Sequence, residues 1–245
     1  MKIPILMYHQ LEAHAPKGAP LRGLVVRPAT FARHMALMRF LGYRGLSMGD
    51  LMPYLLGEKQ GRVFGITFDD GYENNLRHAL PVLQRHSFTA TCYAVGEALG
   101  KTNAWDADLG IAQVALMDAA QLKQWHAGGQ EVGSHSQNHL RLTALAPQAM
   151  RAQIVESRDG LSAVLNEPSG VRHFCYPYGD FDPAVVEVVR GAGYLTATTT
   201  VRGRFDTHQP GDLMLIPRVL VSRSTTWLHL LLKCFTRYED KRGGV

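Results

Sequence analysis

Runs of apolar residues alternate along the chain with longer stretches in which apolar positions recur at helical spacing. The apolar runs predict seven strands, at Ile3–Tyr8, Val63–Phe68, Thr89–Val95, Gln130–Gly133, Arg172–Tyr176, Leu195–Thr200 and Leu213–Val221. The amphipathic stretches predict five helices, at Thr30–Leu41, Asn74–His86, Asp118–Ala127, Pro147–Leu165 and Pro183–Ala192. For the last of these helices, Asp182 supplies a cap and Pro183 a favourable first position.

Strands that alternate with helices predict parallel pairing with right-handed crossovers. Seven such strands suit either a closed β/α barrel or an open sheet, and counting strands does not distinguish the two. No Pro-, Gly- or Ser-rich linker divides the 245 residues, which are enough for one full hydrophobic core. We therefore expect a single α/β domain.

The composition excludes several classes of protein. Apolar residues make up 46% of the chain and charged residues 19%, which is typical of a folded domain and not of a disordered one. The net charge is +5, but from Arg218 onward six basic residues stand against two acidic ones, so that segment carries most of the excess. Because the rest of the chain is nearly neutral, we expect no nucleic-acid partner.

The cysteines and the N-terminus bear on the cellular compartment. Cys92, Cys175 and Cys234 are odd in number and far apart, which predicts reduced thiols in the core and neither a disulfide framework nor a zinc knuckle. The N-terminal apolar run is interrupted by Pro4 and is too short for a signal peptide. No apolar run approaches membrane-spanning length. These features predict a cytoplasmic protein.

Three polar clusters fall where predicted strands end. They are Thr67–Gly71, Ser134–His135 and Tyr176–Asp180. In β/α barrels the side chains at the carboxyl ends of the strands converge on one mouth, where the chemistry takes place. The three clusters therefore predict one shared site.

Two of these clusters carry residues that suit a metal ion. His135 and His139 are four residues apart, so a helical turn after the strand would place both on one face. Gly71 permits a sharp turn that brings both Asp69 and Asp70 to the mouth, where one carboxylate binds metal and the other stays free as a base. A histidine pair is also common at surfaces, and Asp-Asp-Gly is often only a turn.

The same segments resemble successive motifs of the polysaccharide deacetylase family (the NodB-homology domain, carbohydrate esterase family four). The motifs are Thr67-Phe68-Asp69-Asp70-Gly71, Ser134-His135-Ser136-Gln137-Asn138-His139 and Tyr176-Pro177-Tyr178-Gly179. Further segments are similar to the family's opening strand, its approach to the histidines and its late arginine segment; they are Ile5–His9, Leu122–His139 and Leu215–Arg218. The resemblance implies a deacetylase domain over residues 1–223, followed by a C-terminal amphipathic helix and basic tail over 224–245.

Carried onto these positions, the resemblance implies a distorted barrel with seven strands and a hydrolase that removes an N-acyl group, usually N-acetyl, from an amino sugar. Asp70, His135 and His139 would bind a divalent metal, usually zinc, and Asp69 would be the general base that takes a proton from the attacking water. The backbone N–H of Tyr178 would stabilise the oxyanion. The substrate pocket would be lined by Tyr176, Pro177, Tyr178 and Gly179.

Two further roles are less well defined by the motifs. The family often has an arginine just before its Pro-Tyr-Gly motif, where this chain has Cys175. Arg218 is our candidate for keeping Asp69 ionised, the alternative being a surface arginine. For the general acid we favour His9, which ends the first strand. His229 lies in a Leu-x-His pattern found in many members, but the segment around it predicts a terminal helix.

The C-terminal segment Trp227–Phe235 is apolar and is followed by Arg237, Lys241 and Arg242. One interpretation is a helix that packs on the barrel and ends in a solvated tail. The other is a peripheral contact with anionic lipid on the inner membrane face, which suits an enzyme acting on a lipid-linked amino sugar.

Other functions stay open at this point. A formamide or cyclic-amide hydrolase of the same superfamily shares the barrel and part of the motifs. An Fe(II) oxygenase also uses two histidines and one carboxylate, although the free Asp69 and the β/α alternation disfavour it. A non-catalytic glycan-binding relic is the remaining alternative, disfavoured because nearly every hydrolytic part is present.

Overall fold

The computed structural model describes residues 1–243. Its strands, numbered in chain order, are β1 Lys2–Ile3, β2 Ile5–Tyr8, β3 Gln10–Leu11, β4 Val25–Val26, β5 Arg44–Leu46, β6 Val63–Phe68, β7 Thr91–Ala94, β8 Glu131–Ser134, β9 His173–Cys175, β10 Thr196–Arg202, β11 Phe205–Asp206 and β12 Ile216–Leu220. Its α-helices are α1 Pro28–Phe40, α2 Met48–Leu55, α3 Glu73–His78, α4 Leu80–His86, α5 Ala119–Ala127, α6 Pro147–Leu165, α7 Pro183–Gly191 and α8 Trp227–Phe235.

Seven of the strands close into a parallel barrel. They follow one another in the order β2, β12, β10, β9, β8, β7 and β6, and β6 pairs back with β2. Every pairing within this ring is parallel. The predicted (β/α) barrel with seven strands is confirmed, and the open sheet is excluded because the ring is closed.

The strands of the barrel are buried on both faces, which explains their continuous apolar runs. All six residues of β6 are buried, for example. Outside the ring, aromatic side chains fill the layer between strands and helices: the ring of Tyr8 lies 5.2 Å from that of Phe31, and the ring of Phe68 lies 5.9 Å from that of Trp125. All three cysteines are free and buried, as predicted.

Several elements differ from those predicted. The single helix expected over 74–86 is divided into α3 and α4, because Pro81 cannot donate the backbone hydrogen bond that a continuous helix needs at its position. The pattern also missed α2, a short helix that contains Gly49 and Pro53 but begins at a good cap, the Ser47 side chain, which accepts from the N–H of Asp50.

The C-terminal segment folds back onto the barrel. The Glu239 carboxylate is fully buried and accepts hydrogen bonds from Arg202 and Lys233. Asp240 pairs with Lys2 and Arg204. The segment is therefore held to the rest of the protein through its two acidic residues, whereas its basic residues Arg237, Lys241 and Arg242 are exposed to solvent. Residues 244 and 245 of the predicted tail lie outside the described residues.

Among the described residues, no helix combines the length and the apolar character needed to span a bilayer.

Candidate active site

The candidate residues come from four strands of the barrel. Asp69 and Asp70 directly follow β6, His135 follows β8 and Tyr176 follows β9, while Arg218 lies within β12. Because the strands are parallel, their carboxyl ends meet at the same mouth. The fold thus brings together residues that are up to 149 positions apart in sequence, as in the contact between Asp69 and Arg218.

Asp70, His135 and His139 form a compact buried group. The Nε2 atoms of His135 and His139 each lie 3.4 Å from Oδ1 of Asp70. The possible ligand atoms of the three residues all lie within 4.8 Å of one another. Two imidazoles and one carboxylate match a catalytic zinc site with a position left for water. The donor set therefore fits a divalent ion.

The backbone between His135 and His139 does not form the helical turn that we expected. That expectation is wrong, because residues 135–139 form a bend in which Ser136 and His139 have φ values of 63° and 56°. The Ser136 hydroxyl accepts from the N–H of His139 and holds the bend closed. On β6 the turn begins one residue earlier than expected, since Asp70 itself has a φ of 73° before Gly71.

Neighbouring groups fix the two imidazoles. The Nδ1–H of His135 donates to the carbonyl of Cys175 at 2.7 Å, which orients the ring so that Nε2 faces Asp70. The ring of His139 stacks 4.5 Å from Trp105 and meets the edge of Tyr178 at 4.5 Å. Burial lowers the pKa of His139, which favours a neutral imidazole. Burial opposes a charge on His135, but its neighbours Cys175 and Asp70 raise the pKa of His135 well above the usual range, so a metal ion at this site would have to displace a proton from that ring.

The two aspartates have different partners. Arg218 is fully buried and donates from Nη1 to Oδ1 of Asp69 at 2.6 Å and from Nη2 to Oδ2 at 2.8 Å. Although burial opposes ionisation, the charge and hydrogen bonds of Arg218 lower the pKa of Asp69. Burial likewise opposes ionisation of Asp70, but hydrogen bonds from the two histidines hold its pKa well below the usual range. Both carboxylates are therefore ionised at neutral pH.

The two candidate acids lie in different places. His9 lines the cavity, with Nε2 4.0 Å from Oδ2 of Asp69 and a buried Nδ1 that has no hydrogen-bond partner within residues 1–243. His229 is exposed on α8, within 3.2 Å of the Thr226 hydroxyl, and does not line the cavity. The structure therefore brings His9, and not His229, to this site.

The segment Tyr176–Gly179 forms a tight turn at the mouth. Tyr176 and Tyr178 line the cavity, although the Tyr176 hydroxyl already donates to the carbonyl of Met214. Pro177 and Gly179 do not line it. They shape the turn instead, since Gly179 has a φ of 68° and a side chain there would collide with Thr200.

The cavity above these residues has a volume of about 460 Å³. Two segments outside the seven-stranded ring and the α-helices, 12–25 and 105–114, form much of its wall. Trp105 and the buried Asp106 come from the second segment and were missed by the sequence reasoning. That segment has no periodicity and no motif, so nothing in the sequence places it over His139.

Residues 57–197 match the family model described as "Polysaccharide deacetylase". The chain belongs to the polysaccharide deacetylase family. This confirms the resemblance predicted from the motifs. Membership of this family supports a hydrolase that deacetylates glycans. Since an Fe(II) oxygenase can use the same donor set, family membership and not ligand chemistry argues against that alternative.

Individual relatives agree with the family. YxkH of Bacillus subtilis (strain 168), whose own name assigns it only provisionally to the polysaccharide deacetylases, is 27% identical over 223 residues, or 90% of this chain and 72% of YxkH. BC0361, a polysaccharide deacetylase from Bacillus cereus, matches with a TM-score of 0.79 and 25% identity, covering 95% of this chain and 69% of BC0361. PplD, a Streptococcus pyogenes deacetylase solved with acetate, shares the fold, with a TM-score of 0.81 at 24% identity over 96% of this chain and 98% of PplD.

Proposed function

We propose that this protein is a metal-dependent N-deacetylase that removes an N-acyl group, in the simplest case N-acetyl, from an amino sugar of a polysaccharide or a lipid-linked glycan. The observation that carries the proposal is the pairing of a three-ligand group, Asp70, His135 and His139, with a second carboxylate held ionised beside it. A site that only bound a metal would not need the second, arginine-paired aspartate.

Asp70, His135 and His139 would hold the ion, and their donor set favours zinc. When bound, such an ion polarises the acyl carbonyl and lowers the pKa of water toward neutrality. Asp69 accepts the proton of the attacking water as general base, and its two hydrogen bonds from Arg218 fix its orientation and keep it ionised.

The remaining steps need a donor for the oxyanion and an acid for the leaving amine. The backbone N–H of Tyr178 is our candidate oxyanion donor, and loss of such a donor costs about 2.7–4 kcal/mol in the barrier. His9 is our candidate acid, because it lines the cavity 4.0 Å from Asp69 and its Nδ1 is unpartnered among the described residues. Trp105 and Tyr178 offer aromatic faces to the sugar ring.

We further propose that the protein contacts the inner face of the cytoplasmic membrane peripherally through α8. Its outward side is apolar: Trp227 is 60% exposed, Leu228 51%, Leu232 38% and Phe235 37%. The exposed Arg237 follows directly. An apolar helix face with basic residues beside it suits anionic lipid head groups.

The decisive experiment measures acetate release from a panel of N-acetylated oligosaccharides and lipid-linked amino sugars, with and without chelator. We expect release that chelator abolishes and added zinc restores. Formate in place of acetate would favour the formamide branch, and turnover that requires iron and oxygen would favour an oxygenase. Glycan binding without release of any acyl group, with metal bound, would identify a non-catalytic relic.

A further inference from the structure

The backbone that carries His139 is held in a conformation that its own residues disfavour. Ser136 and His139 are not glycines, yet their φ values of 63° and 56° lie in the left-handed region. Residues in such conformations persist only where the surrounding structure holds them in place. The conformation of residues 135–139, which we call the histidine bend, therefore depends on its neighbours.

His139 is the candidate ligand that depends most on this bend. A metal-binding histidine is usually oriented by a hydrogen bond from its other ring nitrogen, as His135 is by the carbonyl of Cys175. The Nδ1 atom of His139 is buried and has no hydrogen-bond partner in the described part of the chain. Apart from ring contacts with Trp105 and Tyr178, the position of His139 must therefore be fixed through its backbone.

The long helix α6 supplies two polar side chains to the histidine bend. Gln153 and Ser157 are four residues apart on α6, so they lie on one face of it. Gln153 accepts from the backbone N–H of Asn138 at 2.9 Å and donates from Nε2 to the side-chain oxygen of Asn138 at 2.8 Å. The Ser157 hydroxyl donates to the carbonyl of Ser136 at 2.9 Å. Helix α6 therefore binds the bend at two points, one of them directly before His139.

The segment after β7 holds the same bend through its backbone. The N–H groups of Gly96 and Glu97 donate to the carbonyls of Ser136 and Gln137 at 3.0 and 2.9 Å. The Glu97 carboxylate also accepts from the Asn138 side chain at 2.6 Å. Because the backbone bonds remain after a substitution on α6, the contribution of that helix can be removed on its own.

We propose that Gln153 and Ser157 are positioning residues for the metal ligand His139. They hold the histidine bend in its metal-binding conformation, so the ion does not have to impose that conformation at the expense of binding free energy. The cavity lining within residues 1–243 includes neither side chain, so their effect passes through the ligand and not through the substrate. The inference rests on the proposed function, in which His139 binds the metal.

The zinc affinity of the full-length protein, measured by competition with a chromophoric chelator, tests the proposal. Gln153→Met removes both bonds to Asn138 and keeps a side chain of similar length. We expect it to weaken zinc binding at least about tenfold, since loss of the groups that orient a metal ligand typically costs 10- to 100-fold in affinity. Ser157→Ala removes a different bond to the same bend and should weaken zinc binding by about the same factor.

Gln148→Met is the matched control, because Gln148 is an exposed glutamine on the same helix. Its zinc affinity should equal that of the wild type. Thermal melting of each metal-free variant shows that it is folded. Unchanged zinc affinity in both Gln153→Met and Ser157→Ala, or an equal loss in Gln148→Met, would overturn the positioning role.

A His139→Ala background separates positioning from a general effect on the structure. Without the imidazole the bend has no ligand to position, so adding Gln153→Met should not weaken metal binding further. Cu²⁺ is titrated into the wild type, the two single variants and the double variant, because the remaining imidazole and carboxylate bind it more tightly than zinc. The same weakening by Gln153→Met with and without His139 would refute the proposal.

The outcome is separable from that of the proposed function. Acetate release by a protein whose zinc affinity does not depend on Gln153 or Ser157 would overturn the positioning role and leave the deacetylase standing. Zinc affinity that depends on both residues, without acyl release from any glycan, would do the reverse.

Discussion

At the scale of single residues, two adjacent aspartates differ in what surrounds them. The Asp69 carboxylate is paired at both oxygens with the Arg218 guanidinium, whereas Oδ1 of Asp70 faces the Nε2 atoms of His135 and His139. Adjacent residues on a regular strand point to opposite faces. Here the positive φ of Asp70 turns the chain so that both carboxylates reach the mouth. The same residue type can therefore do two different tasks.

Substitution of each aspartate by asparagine separates these tasks. Asp70→Asn should lose both bound zinc and activity, because it removes a charged ligand. Asp69→Asn should keep zinc and lose at least about 100-fold in turnover, the usual scale of general-base catalysis. Zinc per chain by mass spectrometry and acetate release measure the two effects. Loss of zinc from the Asp69 variant as well would show that the division of labour is wrong.

The ion pair with Arg218 predicts a pH effect. Asp69 is active as the ionised carboxylate, so activity should fall as pH drops through its pKa, which Arg218 lowers. Arg218→Gln removes the charge, which raises that pKa and moves the acid limb of kcat/KM to higher pH. A pH–rate profile of both proteins checks this, with melting temperatures to confirm folding. An unchanged acid limb in a folded variant would mean that another group controls ionisation.

The limits of sequence reasoning at this scale are physical. Local motifs at the ends of predicted strands were enough to identify Asp69, Asp70, His135 and His139. Trp105 was not found, since its contact with His139 depends on how an aperiodic segment folds over the mouth.

At the scale of elements, buried strands were predictable and irregular junctions were not. A strand such as β6 is buried on both faces, so its apolar run is visible in the sequence. The division between α3 and α4 arises at Pro81, and the bend at 135–139 arises at Ser136. Each depends on the backbone of a single residue, which does not change the hydrophobic periodicity of the surrounding segment. Closure of the barrel depends on the pairing of β2 with β6, and this pairing cannot be predicted from the number of strands.

His34 joins three such elements and predicts how stability depends on pH. It lies on α1 and bonds through its two ring nitrogens to the hydroxyl of Tyr8 on β2 and to the carbonyl of Thr225 before α8. Burial, followed by the charge of Arg33, lowers the pKa of His34 from 6.5 to about 4, against an opposing bond to Thr225. The folded protein therefore holds a neutral imidazole where the unfolded chain becomes protonated.

The folded and unfolded states of the protein take up a proton at His34 at different pH values, so stability depends on pH. The neutral His34 contributes its full stabilisation above pH 6.5. This contribution is lost as the pH falls toward about 4, because the unfolded state takes up the proton first. Between pH 7 and pH 4 the free energy of unfolding of the wild type should fall by about 3 kcal/mol more than that of His34→Gln, because the glutamine side chain takes up no proton. Urea denaturation at both pH values measures the difference. Equal losses in the two proteins would contradict the buried neutral state.

At the scale of the whole molecule, the two ends of the chain meet on the barrel. Asp240 pairs with Lys2, and the buried Glu239 binds Arg202 and Lys233. On α8, Leu230 and Cys234 are buried while the opposite side is apolar and exposed. Removing residues after Ser224 would therefore expose core surface and leave Arg202 without its acid, so a truncation is a poor test of membrane contact. Substitution of single exposed side chains is a better test of membrane contact.

Flotation with vesicles tests whether the outer side of α8 binds lipid. The full chain should float with phosphatidylglycerol vesicles and less with phosphatidylcholine, because basic residues beside an apolar face favour anionic head groups. Leu228→Ser should reduce recovery, whereas Leu56→Ser should not, since both leucines are 51% exposed but Leu56 follows α2. Equal recovery of the two variants would discard the membrane contact. If instead the protein dimerises in sedimentation and Leu228→Ser abolishes the dimer, the face binds a second copy of the chain.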